Sequence, residues 1–246
     1  MGGHRGSSAV APENTYAAFE RSVEDGAEYA ETDIRRTADG FLVLMHDATL
    51  DRTTDGKGAV ADATLAELDQ LDAGSWFAPE FAGQRVPRFP DFLHWIEERP
   101  RFGAALEVKA VGVGEEVARA AWASPARDRL AIYSFLPDEI RAAKAAAAEV
   151  PCVLLLWLSD DPDEVLGRIE DCGADGADVP WQWDARALLA GMRERGLLIG
   201  GGSASGDQAA DILVGQGVDM IDTDGPAAML AAVTALAARE GRARPA

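Results

Sequence analysis

The chain has 246 residues, 48% hydrophobic and 26% charged, with 23 basic against 42 acidic side chains and a formal charge of −19. This is the composition of a globular protein with material for a large core, and it excludes disordered, collagen-like and disulfide-scaffold classes. Such a charge disfavours nucleic acid and anionic membranes as partners, so a small anionic substrate would need local cations or a metal to offset the field.

The chain opens MGGHRG, with His4 and Arg5 side by side before any hydrophobic segment is complete and Gly6 free to turn the backbone after them. With three residues before His4, the sequence as it stands is expected to carry no secretory leader. NTYAAFERSVEDGA, from residue 14, has apolar residues at helical spacing and ends at Gly26, which predicts a helix. EYAETDIRR (28–36) and FLVLMHD (41–47) flank the turn residues TADG, which predicts a hairpin. A turn centred on Ala38 and Asp39 would set residues 31–33 opposite 44–46, making His46 a cross-strand neighbour of Glu31 and Asp33.

From about 48 to 90 the chain is irregular, with one short helical patch, TLAELDQL, and a stretch rich in Gly, Pro and aromatics. This segment reads as an insertion packed as a lid. Thereafter strand and helix patterns alternate: FLHWIEER helix, FGAALEVKA strand, EEVARAAWAS helix, LAIYSF strand, DEIRAAKAAAAE helix and PCVLLLW strand. The apolar run here, VPCVLLLWL, is far short of the ~20 residues needed to span a bilayer. Two cysteines, Cys152 and Cys172, are too few for a disulfide framework and read as buried thiols of a cytoplasmic protein. The alternation continues through DEVLGRIEDC, GADV, ARALLAGMRERG, LLIGGG, QAADILVGQG and DMIDTD to a closing Ala-rich helix.

Counting the short strand before His4 and setting aside the hairpin's return strand leaves eight strands. The pattern predicts a (β/α)8 TIM barrel spanning residues 1–246 as a single domain, with an insertion after the second-strand hairpin. An open doubly wound sheet is the alternative, but it usually stops near about six strands and no glycine-rich dinucleotide fingerprint follows the first strand.

A barrel places its active site at the C-terminal ends of its strands. The polar residues there are His4, Arg5, Glu31, Asp33, Glu107, Lys109, Ser134, Trp181, Ser203, Asp222 and Asp224. Glu31 and Asp33, two apart on one strand, share a face, and two acids on one inward face repel unless a cation sits between them. Glu107, two strands further along in sequence and likewise two residues before a cationic side chain, could complete an oxygen site suited to Mg²⁺ or Ca²⁺. Imidazole titrates near neutrality, so His4 and His46 could act as acid and base. Arg5 and Lys109 supply positive groups that suit a phosphate. His94 lies within a predicted helix and takes no role.

Taken together, these segments resemble the glycerophosphodiester phosphodiesterases, metal-dependent hydrolases on a (β/α)8 barrel. The likeness rests on HRG at 4–6, APENT at 11–15, GAEYAETDIRRTADGFLVLMHDATLDRTTDGKG at 26–58, LDAGSWFAPEFAGQRVP, LEVK at 106–109, YSF at 133–135 and GVDMIDTDGP at 217–226. It spans nearly the whole chain. The resemblance implies that His4 and His46 are the general acid–base pair and that Glu31, Asp33 and Glu107 hold one divalent cation, Mg²⁺ or Ca²⁺. It implies that Arg5 and Lys109 contact the phosphate of a small-molecule phosphodiester, with Glu13 as a supporting acid counted among the substrate-binding residues, Asp47 as a supporting acid behind them, and Phe135 as a wall for the glycerol or leaving group. The implied products are sn-glycerol 3-phosphate and an alcohol. A related activity on a lysophospholipid or a sugar phosphodiester, or a barrel that binds phosphodiesters without turnover, are the alternatives.

Two departures from the family pattern stand out. Only Met1, Gly2 and Gly3 precede HRG, where the family usually has several hydrophobic residues, so a short first strand is expected. Near the seventh barrel strand LLIGGGSASGDQ replaces a tryptophan-bearing W-T-V-N-like segment, and Trp181 or Trp183 is the expected substitute for the lost aromatic wall.

Overall fold

The computed structural model describes residues 1–202 and 204–239. In chain order the first half comprises β1 (Gly2–Gly3), α1 (Tyr16–Glu24), β2 (Tyr29–Arg36), β3 (Leu42–Leu44), α2 (Leu65–Leu68), α3 (Phe89–Glu97), β4 (Gly103–Val108) and α4 (Gly114–Ala123). The second half comprises β5 (Leu130–Ser134), α5 (Pro137–Ala146), β6 (Cys152–Leu155), α6 (Val165–Cys172), β7 (Gly176–Asp178), α7 (Arg186–Glu194), β8 (Leu198–Gly201), α8 (Gly206–Gln216), β9 (Met220–Thr223) and α9 (Pro226–Arg239).

All these strands except β3 pair in parallel in the order β1-β2-β4-β5-β6-β7-β8-β9, and β9 returns to β1, so eight strands close a barrel with helices between them. The short first strand suffices for closure because its two residues pair on both sides, Gly2 against Tyr29 and Asp222, Gly3 against Ala30 and Thr223. Only glycine fits at position 2, where a Cβ would lie 2.2 Å from the Tyr29 ring and 2.5 Å from Asp222 Oδ1. The strands read as near-continuous apolar runs because parallel strands bury both faces. Outside the barrel, Phe19, Phe92, Ile96, Leu106, Ile132, Ile140 and Leu154 pack between strands and helices; inside it, Ala105, Tyr133, Val153 and Leu155 fill the lumen beneath the site.

The β2–β3 hairpin is antiparallel, with Ile34 opposite Leu44 and Arg36 opposite Leu42. This register differs by one residue from the one expected. Thr37 N–H donates to Phe41 O across a three-residue loop, and Gly40 at φ +90° supplies the left-handed residue that such a loop requires. Because a one-residue slip reverses the facing of every side chain, Asp33 lies beside Met45 and not beside Leu44, its carbonyl oxygen accepting from Met45 N–H at 2.9 Å. Strand pairing stops at Leu44, and His46 reaches the site from the loop beyond.

The segment from 48 to 90 carries two short 3₁₀ turns and the single turn of α2, and packs Leu50, Val60, Leu65, Leu68, Ala73 and Val86 against Val43 and Met45. None of its residues lines the central cavity, so it buttresses the hairpin and is not a lid over the barrel mouth.

Candidate active site

The first barrel strand ends in a strained turn. Arg5 has φ +59°, a conformation that β-carbon sterics penalise, and Gly6 follows at φ +81°. The turn is held by His4 N–H donating to Thr223 O at 2.8 Å, Arg5 N–H donating to Glu31 Oε2 at 2.9 Å and Asn14 N–H donating to Arg5 O at 3.0 Å. These bonds tie β1, β2 and β9 together where the chain leaves the barrel. His4 Nδ1 lies 2.7 Å from Asp224 Oδ1, which leaves Nε2 as the nitrogen available for chemistry.

Glu31, Asp33 and Glu107 converge as the spacing predicted, each offering one oxygen within 4.8 Å of the others. The return strand β3 lies outside the barrel, so β4 is the direct neighbour of β2, not a strand further on, and Glu107 stands in register with Asp33. Lys109 bridges two of the three acids, with Nζ 2.8 Å from Glu107 Oε1 and 3.3 Å from Asp33 Oδ1. Burial holds the Glu31 carboxyl well above its usual range, and the charges of Asp33 and Glu107 push it further. Glu107 is pushed up to about 7 by burial and by Asp33, against the pull of Lys109. Burial also works against charge on Asp33, but Lys109, Arg5, His46 and the Asn14 amide outweigh it and hold this carboxyl low. Glu31 Oε1 and Asp33 Oδ1 are buried without a hydrogen-bond donor. Three buried carboxylates, two of them with an orphaned oxygen, fit a hard divalent cation, and Glu31, Asp33 and Glu107 are the residues that would hold it.

His46 faces this cluster from beyond β3. Its Nδ1 is 2.7 Å from Asp47 Oδ1, repeating the carboxylate–imidazole arrangement of His4. Burial lowers the His46 pKa, and the positive charges of Lys109 and Arg5 add to this against Asp33 and Asp47, so the ring is neutral at neutral pH and able to accept a proton. Arg35 fixes the turn by donating from Nε to His46 O at 2.9 Å.

Glu13, expected at the substrate, stands behind it. It does not line the cavity, and its carboxylate is shared between Arg5 Nη1 at 3.0 Å and Arg52 Nη1 at 2.6 Å. A carboxylate there orients Arg5 toward the site without meeting an anionic ligand. Arg52 also donates from Nε to Asp47 Oδ2 at 2.7 Å, so one residue of the inserted segment braces the partners of both Arg5 and His46.

His4, Arg5, Glu31, His46, Glu107 and Lys109 line one side of a cavity of about 370 Å³ at the C-terminal ends of the strands. Phe135, Leu155, Trp157, Leu158, Asp178 and Gly202 line the other. Asp33 is fully buried beneath Lys109. Phe135 stacks on Trp157 with ring centroids 4.0 Å apart and planes at 21°, and Lys109 Nζ lies 5.7 Å from the Phe135 ring. The aromatic wall expected of Trp181 or Trp183 is therefore supplied by Trp157, just beyond β6. Trp181 packs on the cluster of Ala204, Ala209 and Leu213, and Trp183 packs on the outer core while donating to Leu158 O at 3.1 Å. Ser134 is buried and donates to Val108 O at 2.8 Å, a structural bond; Ser203 lies outside the described residues.

Asn14, Arg52, Trp157 and Asp178 were not singled out by motif reading. Asn14 sits at φ +54°, with its amide nitrogen donating to Asp33 Oδ2 at 2.7 Å and its oxygen accepting from Thr32 Oγ1 at 2.6 Å. Its place after Glu13 in APENT was the available signal, since Asn tolerates the left-handed region better than most residues. For Arg52 and Trp157 the sequence carried no comparable sign.

Comparison with known proteins points to a single family. The profile of the glycerophosphoryl diester phosphodiesterase family matches residues 4–181. The chain is 31% identical over 247 aligned positions to a glycerophosphodiester phosphodiesterase of Caldanaerobacter subterraneus subsp. tengcongensis, covering 92% of this chain and 94% of that one. Among solved structures it is similar to a phosphodiesterase of Oleispira antarctica in complex with the product sn-glycerol-3-phosphate, at 29% identity and TM-score 0.87, covering 95% and 96% of the two chains. It is also similar to a glycerophosphodiester phosphodiesterase from Agrobacterium tumefaciens, at 30% identity and TM-score 0.81, covering 93% and 97%.

Proposed function

The chain belongs to the glycerophosphoryl diester phosphodiesterase family, and we propose that it hydrolyses glycerophosphodiesters to sn-glycerol 3-phosphate and an alcohol with one Mg²⁺ or Ca²⁺ as cofactor. The observation that carries this reading is the meeting of two carboxylate-held imidazoles, two cationic side chains and a buried acidic triad on one side of a single cavity. The whole chain acts as one catalytic unit, and it works on a small molecule in the cytoplasm, in keeping with two buried free thiols and a charge that repels polyanions. Among the described residues no helix is long and apolar enough to cross a membrane.

Arg5 and Lys109 bind the phosphate and offset the charge that develops on its oxygens. Lys109 is held in place for this role by Glu107 and Asp33. Glu31, Asp33 and Glu107 would hold the divalent cation, which would supply Lewis-acid polarisation of the phosphate. One imidazole removes the proton of the nucleophile as it bonds to phosphorus: water gives glycerol 3-phosphate directly, and the neighbouring glycerol hydroxyl gives a cyclic phosphate that water then opens. As the bond from phosphorus to the leaving oxygen breaks, the other imidazole donates a proton to that oxygen. Asp224 and Asp47 keep both rings oriented and stabilise them when charged.

The test is release of glycerol 3-phosphate from glycerophosphocholine, glycerophosphoethanolamine and glycerophosphoglycerol with Mg²⁺, with Ca²⁺ and with chelator. Cation-dependent release lost in His46→Ala supports the assignment; no release with any diester or cation refutes it.

A further inference from the structure

The cavity is electrostatically lopsided. Its cations, Arg5 and Lys109, stand on the β1–β4 side, each already paired with acids there. On the β5–β8 side lies Asp178, 8% exposed, which makes no ion pair among the described residues. Its Oδ1 accepts from Gly202 N–H at 2.8 Å, while Oδ2 is buried with no donor. The glycines of β8 and the residue after it make room for this acid: a Cβ on Gly200 would lie 2.7 Å from Oδ2, and one on Gly202 2.7 Å from Oδ1. The GGG run that departs from the family pattern is thus a seat for a buried carboxylate. Asp222, across β8, likewise has an unpartnered Oδ1. Burial and then the charge of Asp222 push Asp178 up to about 8, so its carboxylate form at neutral pH calls for a cation beside it. Nearby, Trp157 is 57% exposed while stacked on Phe135, so an indole lies open at the cavity edge.

We propose that Asp178 and Trp157 form a leaving-group subsite that selects diesters whose alcohol carries an alkylammonium head. A carboxylate at the base and an aromatic face at the side are together complementary to an organic cation. A neutral polyol would satisfy the carboxylate but gain little from the indole, and a plain alkyl alcohol would leave the carboxylate unpaired. A metal ion is the poorer occupant. The His, Cys, Asp and Glu groups close enough to hold one, with three ligand atoms mutually within 4.8 Å, comprise only Glu31, Asp33 and Glu107 among the described residues. This inference rests on the hydrolytic reading above, which puts the phosphate at Arg5 and Lys109 and so directs the leaving group toward β5–β8.

The experiment compares kcat/KM for glycerophosphocholine and glycerophosphoglycerol, expected to favour the choline diester about tenfold or more in the unaltered protein. Asp178→Asn, which keeps the side-chain volume and an oxygen for Gly202, is expected to cut that ratio about tenfold, and Trp157→Ala to cut it several-fold. Tetramethylammonium is expected to inhibit the unaltered protein competitively, and its neutral analogue tert-butanol not to, a comparison that needs no variant to fold. A ratio near one, a ratio unmoved by Asp178→Asn, or equal inhibition by the two analogues overturns the proposal. If no diester is hydrolysed, the hydrolytic reading fails instead. The subsite is then decided by the calorimetric affinities of His46→Ala for the two diesters, where equal affinities overturn it.

Discussion

Arg52 and Glu13 form a two-pronged ion pair across 39 residues of sequence, Nη1 to Oε2 at 2.6 Å and Nη2 to Oε1 at 2.7 Å. Through this pair the inserted segment holds the loop that carries Arg5, while the same guanidinium grips Asp47 beneath His46. Arg52→Ala is expected to lower kcat/KM about tenfold or more, as loss of an orienting partner does in comparable sites. Arg52 is 43% exposed, so its loss should cost no more than about 1 kcal/mol of stability at neutral pH, a small effect beside the kinetic one. Steady-state kinetics beside a thermal melt check this; unchanged kinetics would show that Arg5 and His46 hold their places without it.

The same pair sets a dependence on acid. The Arg52 hydrogen bonds are the largest influence on Asp47; on Glu13 burial is the largest single influence, but Arg52 and Arg5 together outweigh it, so both carboxyls titrate below their usual values. A carboxyl depressed in the folded state stabilises the fold above its unfolded value, about 4, and loses that contribution as pH falls. The stability advantage of the unaltered protein over Arg52→Ala is therefore expected at neutral pH and should shrink below about pH 4. Urea unfolding across that range measures it.

Protons and the divalent cation compete for the acidic triad. Glu31 is held well above its usual value and Glu107 at about 7, chiefly by burial, so Glu107 takes up a proton as pH falls through neutrality and both acids resist the charged form that a cation needs. Cation affinity is expected to be weaker at about pH 6 than at about pH 8, with protons released on binding. Calorimetric titration in buffers of different ionisation enthalpy reads both quantities. Chelation should abolish turnover, and Glu31→Gln should weaken cation binding at both pH values.

Two imidazoles held alike by carboxylates should fail differently. His4→Ala and His46→Ala are each expected to lower kcat about 10²–10⁴-fold on glycerophosphocholine. On a diester with a p-nitrophenol leaving group, which departs without a proton, the variant lacking the acid should regain most of its rate. Equal losses on both substrates would count against separate acid and base roles.

Asn14 is a structural keystone. Asn14→Ala would leave Thr32 Oγ1 and Asp33 Oδ2 short of their partner in a buried place and put alanine at φ +54°. The expected cost is about 2–4 kcal/mol. Chemical denaturation checks it, and a loss below about 0.5 kcal/mol would show that water replaces the amide.

The order of strands and helices, the barrel and the convergence of His4, Arg5, Glu31, Asp33, Glu107 and Lys109 were legible in the sequence. Each rests on local periodicity or on i, i+2 facing, and the barrel places all strand ends at one rim. The hairpin register was missed by one residue because a single left-handed Gly40 changes the loop from two residues to three, an outcome of backbone geometry and not of composition. The place of Glu13 behind Arg5, the bracing by Arg52 and the transfer of the aromatic wall to Trp157 depended on side chains far apart in sequence meeting in space. So did the role of GGG, which looked like loss of a wall and proved to be room for Asp178 on the neighbouring strand. Periodicity is a property of one segment; contacts between segments, and the burial that sets their charge states, exist only once the barrel has closed.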